Sequence, residues 1–294
     1  MKLSKRNLGI IHILGAAFCF ALMSFFVRLS GDVPSMQKCF FRNIVAVFVA
    51  ALILLRSEDK FKLQKKNLPL LFLRSFCGCV GLICNFYAID KINLSDANML
   101  NKLSPFFAII FSYFILREKA NKVEWTAVVF AFLGALFVMK PSFHADFFPA
   151  LIGAFGGMGA GVAYTFVRLL GKRGERGPVI VFFFSAFSTA VTAPYIFLYY
   201  HPMEVYQWAA LLMAGIAAMG GQLNITAAYT YAPAKEISVF DYSQIVFAAI
   251  LGFLFFDQVP DYLSVIGYLL IIGAAVGRWW YRDRDEAGQD IVSK

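Results

Sequence analysis

The chain has 294 residues, of which 60% are hydrophobic, 17% aromatic and 15% charged, where soluble globular domains carry about 25% charge. With a mean hydropathy of +0.68 and charges confined to short runs between apolar stretches of roughly 20 residues, the composition excludes a soluble two-domain protein, whose helices would need polar faces. The net charge of +9 is divided among separate short segments rather than gathered on one basic face, which excludes a nucleic-acid-binding surface.

Ten apolar stretches run near 8–29, 36–55, 69–89, 95–116, 123–139, 148–170, 178–199, 207–231, 236–256 and 261–280. Each predicts a membrane-spanning helix, because lipid offers no partner for backbone N–H and C=O groups. Barrel strands would alternate over about ten residues, and no such alternation is present. The first stretch follows Lys2, Lys5 and Arg6, has full spanning length and lacks a small-residue cleavage site, so it reads as a span and not as a cleaved signal. Its His12 reads as a packed polar group, although imidazole titrates near neutral pH. Arg28, at its far end, reads as an interface anchor.

The second span carries Arg42, about seven residues from its outer end. In the third, Arg74 and Asn85 stand eleven residues apart on one face. Arg74 is also close enough to the cytoplasmic end to snorkel to headgroups. In the fourth, Asn98, Asn101, Lys102 and Pro105 follow an i, i+3, i+4, i+7 spacing on one face. Pro105 frees a carbonyl one turn earlier, near Asn101. Asp96 and Glu236 begin the fourth and ninth spans, where a helix N-terminus favours a negative side chain.

The sixth span holds Gly153, Gly156, Gly157, Gly159 and Gly161. No strand precedes them, so they read as a close-packing surface and not as a dinucleotide loop. Tyr164 follows, then Arg168, a second end-of-span anchor. Gln222 and Asn224 lie in the eighth span; Ser238, Asp241 and Gln244 form a polar stripe in the ninth, with Tyr242 adjacent. Trp279-Trp280-Tyr281 closes the tenth as an interfacial belt. The five cysteines are odd in number, and Cys77 and Cys79 point to different helix faces, so neither a zinc site nor a disulfide framework is expected. No metal, cofactor or nucleophile–base constellation is expected either, and an enzyme reading lacks support.

The chain repeats itself at an offset of 140 residues. Phe26-Val27-Arg28-Leu29 with Gly31 returns as Phe166-Val167-Arg168-Leu169 with Gly171; Ala88 falls on Ala228, Asp96 on Glu236, Asn101 on Asp241 and Lys102 on Tyr242. The expected division is a first five-helix repeat over 1–141 and a second over 142–294. Positive charge collects in alternate connections: residues 56–66, 117–122, 168–176, Lys235 and the C-terminal stretch after Arg278. The bias sets both termini in the cytoplasm. Five spans per copy make the second copy enter from the opposite side. The fold class expected is therefore an all-α integral membrane protein of ten transmembrane helices in two inverted repeats, with a site near mid-membrane between them.

Asn85-Phe-Tyr-Ala88, Leu94-Ser-Asp-Ala97, Leu103-Ser-Pro-Phe106 and Leu116-Arg-Glu118, with Ala228-Tyr229, Ala232-Pro-Ala-Lys-Glu236, Phe240-Asp-Tyr242, a degenerate Phe256-Asp-Gln258 and Arg42, resemble the drug/metabolite transporter superfamily in its EamA-type ten-helix branch. The resemblance covers nearly the whole chain. It implies a bacterial inner-membrane carrier of a small molecule, with export the commoner direction.

Charge at mid-membrane costs roughly 2.5–3.5 kcal/mol on insertion scales, so intramembrane polar groups face a cavity or a partner. The expected substrate-binding set is Asn98, Asn101, Lys102, Asp241, Tyr242, Gln244, Arg42, Arg74, Asn85, Tyr164 and Asn224, with Asp241 as the proton-coupling group. A Lys102–Asp241 ion pair holding the copies together is an alternative compatible with it. The cations suggest a substrate carboxylate or phosphate and Asp241 an amino group or a coupled proton, which together point to an amino acid or similar zwitterion or organic anion. Two readings stand beside that one: uptake of a larger aromatic or nucleoside-like metabolite (a vitamin or S-adenosylmethionine) on Tyr87, Tyr164, Phe240 and Tyr242, and a non-transporting scaffold or membrane-embedded enzyme. The expected partners are the small-molecule substrate, the lipid bilayer and coupled protons, with no nucleic acid; oligomeric state is not legible.

Overall fold

The computed structural model describes the backbone of residues 5–115, 117, 122–139, 147–231 and 238–292 and, within these, all side chains except those of 5, 6, 124, 139, 226, 229, 230, 238, 239 and 282–292. Glu118, Glu236, the 232–235 stretch and the Ser238 side chain lie outside the described residues. Eleven α-helices are described: α1 Lys5–Leu29, α2 Ser35–Leu55, α3 Leu68–Lys91, α4 Leu94–Asn101, α5 Ser104–Ile115, α6 Lys122–Met139, α7 Phe147–Lys172, α8 Gly177–Tyr199, α9 Val205–Tyr231, α10 Ser243–Phe256 and α11 Tyr262–Val292. No strand occurs among the described residues. Seven of these helices contain segments long and apolar enough to cross a membrane, and the apolar stretches Trp125–Val138 and Phe240–Phe256 are shorter. Large side chains such as Phe48, Phe72, Phe114, Phe253 and Phe255 are exposed on the outside, the surface an all-α membrane protein shows to lipid.

The fourth span is interrupted at Lys102 and Leu103, and 140 residues on the ninth changes its helical form. The interruption has a covalent cause. Pro105 lacks an N–H and its ring would strike the carbonyl of Asn101, so α4 stops at Asn101 and α5 restarts at Ser104, with Pro105 in its first turn. Lys102 and Leu103 form the joint, their N–H groups bonded to Asn98 O at 3.0 Å and Leu100 O at 3.1 Å. In the ninth span no proline is present; there a 3-10 turn, Ser238–Tyr242, runs directly into α10. A joint in the hydrocarbon region is tolerated where it is buried in protein, and Lys102 and Tyr242 are both buried.

The packing follows the repeat. Helix α1 packs along α9, and the exchange of copies turns that contact into α7 along α3. Helix α2 meets α8, and α6 meets α11, each contact mapping onto itself. All of these join one half of the chain to the other.

Close approach depends on small residues, since lipid tails are as apolar as the helices themselves. At the α6–α11 contact, a Cβ on Gly134 would lie 2.8 Å from Gly267 O, and one on Gly267 2.6 Å from Gly134 O. The glycines of α7 do the same work against α3 and α4: a Cβ on Gly157 would lie 2.6 Å from Leu100 O. Gly267→Val should therefore force α6 and α11 apart and lower stability by about 1–3 kcal/mol or more. Gly277→Ala, with nothing within 4 Å of the new Cβ, should be neutral or slightly stabilising. Thermal unfolding in detergent compares the two; equal midpoints would show that the α6–α11 approach is not limiting.

Connections clasp one another at both ends of the bundle. On the side of the basic connections, Arg176 Nη2 donates to the carbonyls of Lys60 at 2.7 Å and Lys62 at 2.9 Å. Glu175 Oε2 accepts Asn67 Nδ2 at 3.0 Å and Gln64 N at 3.3 Å. At the other end, Gln37 exchanges two bonds with the His201 backbone at 2.8 and 2.9 Å, and Gln207 Nε2 donates to Ser30 O at 3.1 Å. Asn67 and Gln207 are equivalent positions in the two copies.

Candidate functional site

The fourth and ninth spans meet across the halves. Lys102 Nζ lies 2.5 Å from Asp241 Oδ2, with side chains 9% and 13% exposed. Tyr242 OH donates to Lys102 O at 3.2 Å, so the phenol occupies a carbonyl at the joint of the opposite copy. Asp241 Oδ1 is buried and has no partner. The ion pair expected from the repeat is therefore present, and half of its carboxylate is unspent.

One turn up α4, Asn98 is fully buried. Its Oδ1 accepts Gln244 Nε2 at 2.5 Å and Ser24 Oγ at 3.1 Å, while its Nδ2 donates to Leu94 O at 2.8 Å. Asn98 and Gln244 thus bind each other across the halves and are largely satisfied. Asn101, at the end of α4, is partly buried, and its backbone carbonyl packs near Gly157.

Tyr164 on α7 connects this centre to a second group of charges. It interacts electrostatically with Asp241, Arg74 and Arg42, and 44% of its surface is open. Arg42 is 2% exposed and Arg74 5%. Arg74 stacks on Phe184 of α8, its Cζ 3.9 Å from the ring centroid, and Arg42 Cζ lies 6.0 Å from the same ring. Arg42 Nη1 donates to Asn43 Oδ1 at 2.6 Å. The structure thus shows Arg74 folded inward on an aromatic face, not snorkelling to headgroups.

Two expected residues stand apart. Asn85 lies against the Gly156 backbone at the α3–α7 contact, with its Oδ1 buried and unpartnered. Asn224 bonds His12 Nδ1 at 2.9 Å between α9 and α1, away from the Lys102 pair, and His12 also stacks on Tyr231. Arg28 is not a lipid anchor: Nη1 donates to the carbonyls of Ile89 and, at 2.8 Å, Ile92, closing the C-terminal end of α3.

Sequence reading missed Ser24, Phe184 and two ties. Tyr268 OH donates to Asp96 Oδ1 at 2.5 Å, so Asp96 is held by α11 as well as by its place in the first turn of α4. Gln258 Oε1 accepts the Leu94 N–H at 2.9 Å. The departure of Phe256-Asp-Gln258 from the first copy's Arg117-Glu118 thus has a structural use, capping the helix of the opposite repeat. Ser24 had a signal in hindsight: it is the first-copy equivalent of Tyr164.

A hollow of about 270 Å³ lies elsewhere, between α2, α8 and α9, lined by Ala50, Ile53, Val181, Met219 and Leu223 among others. Its walls are mostly apolar and suit acyl chains, so the polar centre is the better candidate for a polar cargo. No group of three or more His, Cys, Asp or Glu able to hold a metal occurs among the described residues.

An all-helical bundle with an apolar exterior and a broken span that meets its counterpart at a buried ion pair is the architecture of a membrane carrier. The chain belongs to the EamA-like transporter family, whose model matches it twice, over residues 7–140 and 151–278. It is a membrane transporter of the drug/metabolite type. It is 32% identical over 279 residues to the pseudopaline exporter CntI of Pseudomonas aeruginosa, covering 94% of this chain and 97% of that one. It is 26% identical over 298 residues to human solute carrier family 35 member G1, covering 94% and 80% respectively. An uncharacterised transporter of Helicobacter pylori is 27% identical over 275 residues, covering 90% and 92%. A solved crystal structure superposes with a TM-score of 0.69 over 95% of this chain and 98% of that one, at 16% identity, a likeness of fold.

Proposed function

We propose that this transporter exports a small polar metabolite carrying amino and carboxylate groups, an amino acid or similar zwitterion or organic anion. It works by alternating access between two inverted repeats, 1–141 and 142–294, in the inner membrane, with both termini in the cytoplasm. The observation that carries the reading is the Lys102–Asp241 pair, which joins the break in the fourth span to the 3-10 turn of the ninth, with Asp241 Oδ1 unspent. A ligand ammonium or a proton has an acceptor there, and the pair is breakable when the halves rock. Asn98, Asn101, Gln244, Tyr242 and Tyr164 complete the wall, and Asp241 is the coupling group. Asn85 and Asn224 serve the helix contacts at either side.

The clasp between residues 57–67 and 174–176 supports the topology, since it puts two basic connections on one face, and four crossings lie between them. Export is supported by the name of the Pseudomonas relative as an exporter. Tyr242 is buried and its hydroxyl is spent on Lys102 O, which weighs against an aromatic-stacking site for a nucleoside-like cargo.

The test is flux of labelled amino acids and organic acids in right-side-out and inside-out proteoliposomes under an imposed pH gradient. The wild type should move cargo and respond to the gradient. Asp241→Asn should lose the response, and Lys102→Ala should lose flux. Wild-type rates in both variants would sink the site assignment.

A further inference from the structure

Besides Lys38, held by Asp90, and Lys102, held by Asp241, the bundle buries two cations with no carboxylate at ion-pair distance among the described residues. These are Arg42 and Arg74, on α2 and α3, facing Phe184 on α8 from 6.0 and 3.9 Å. Both are more than nine-tenths buried. Arg74 Nε and Nη1 and Arg42 Nε are buried donors without partners. The same holds for the hydroxyls of Ser75, next in sequence to Arg74, and of Ser185, next in sequence to Phe184.

Such a group is costly as it stands. A guanidinium cannot escape by losing its proton, and each buried ion without a counter-charge forfeits much of its hydration. Stacking on Phe184 returns only part of that loss. A fold that holds two such cations against one ring, with donors and hydroxyls unspent, is matched to negative charge arriving from outside the chain.

We infer that Arg42 and Arg74, both set against Phe184, form an anion subsite that takes two carboxylates of one cargo molecule. This deepens the transport reading and rests on it for the route by which cargo arrives. The count follows from charge. Lys102 is already neutralised by Asp241, so the uncompensated charge is that of the two guanidiniums, and a monocarboxylate would leave one of them uncompensated. The donors come from two helices, and Arg42 has committed Nη1 to Asn43, which suits two separate acceptor groups better than one compact anion. Tyr164 interacts electrostatically with both arginines and with Asp241, which links the subsite to the Lys102–Asp241 pair.

The experiment measures thermal unfolding of the full-length protein in detergent with glutarate, butyrate or inorganic phosphate at equal ionic strength. Glutarate should raise the midpoint, and butyrate and phosphate should not. Arg42→Gln and Arg74→Gln should abolish the glutarate shift while raising the midpoint of the ligand-free protein, because each removes an uncompensated buried charge. Arg74→Lys keeps the charge without the fork and should retain a reduced shift. Equal shifts from butyrate and glutarate, a larger shift from phosphate, a glutarate shift that survives both Gln variants, or Gln variants that lower the ligand-free midpoint would each overturn the subsite. Wild-type flux with no glutarate dependence on the arginines removes the subsite and leaves the transport reading. A glutarate shift dependent on the arginines, with no flux in proteoliposomes, does the reverse.

Discussion

Lys102→Met should destabilise the protein by about 3–5 kcal/mol, because it leaves the Asp241 carboxylate buried without its counter-charge. Asp241→Leu should cost a similar amount by stranding the ammonium. The double variant, Lys102→Met with Asp241→Leu, should recover to within about 1 kcal/mol of the parent, since apolar side chains of similar volume replace a buried ion pair with little loss. The coupling energy in that double-mutant cycle should then be about 5–10 kcal/mol in magnitude, beyond the usual range for residues in contact, because each single variant strands a buried charge. Its use is the comparison with flux. A double variant that is stable and inactive shows that the pair handles cargo; one that is stable and fully active shows that it only joins the halves. Single variants as stable as the parent would contradict the buried geometry at 2.5 Å.

The second large effect concerns the clasps. Glu175→Ala removes the acceptor for Asn67 Nδ2 and Gln64 N. Hydrogen bonds to a charged group are worth about 1.5–3 kcal/mol each. With allowance for solvent at this end, a net loss of about 3 kcal/mol shifts the open-to-closed ratio on the basic side by roughly a hundredfold. Gln37→Ala should act at the opposite end by releasing His201. Spin labels at positions 62 and 173, and at 32 and 202, read the two ends separately by pulsed distance measurement. Glu175→Ala should widen only the first pair and Gln37→Ala only the second. Both pairs widening together in either variant, or neither moving, would refute independent closure of the two ends.

Hydropathy located the spans well, because a hydrocarbon slab imposes one length on every crossing. The break at Lys102 was legible through Pro105, whereas its counterpart before Ser243 has no proline and left no mark. The Lys102–Asp241 pair could be anticipated because the offset placed Lys102 beside Asp241's equivalent, Asn101. The Arg74–Phe184 stack could not, since it joins helices of different halves and a phenylalanine in a span looks like any other. Arg28 misled for a related reason: at the end of a span, sequence does not distinguish a side that faces headgroups from one that faces the last carbonyls of a neighbouring helix. Asn224 shared residue type and a place within a span with the central polar groups, but α9 directs it to His12.

The cross-packing of the halves also bears on how the chain is made. Lys102 and its carboxylate are 139 residues apart, and at about 5–20 residues per second of synthesis the first waits roughly 7–28 s for the second. During that interval Asn98 lacks Gln244, and α1 and α3 lack α9 and α7. The insertion machinery must shelter a half-built bundle with a bare ammonium at its centre until the second half emerges. Substitutions that slow synthesis between the two, and leave every contact of the finished protein intact, should therefore lower its yield.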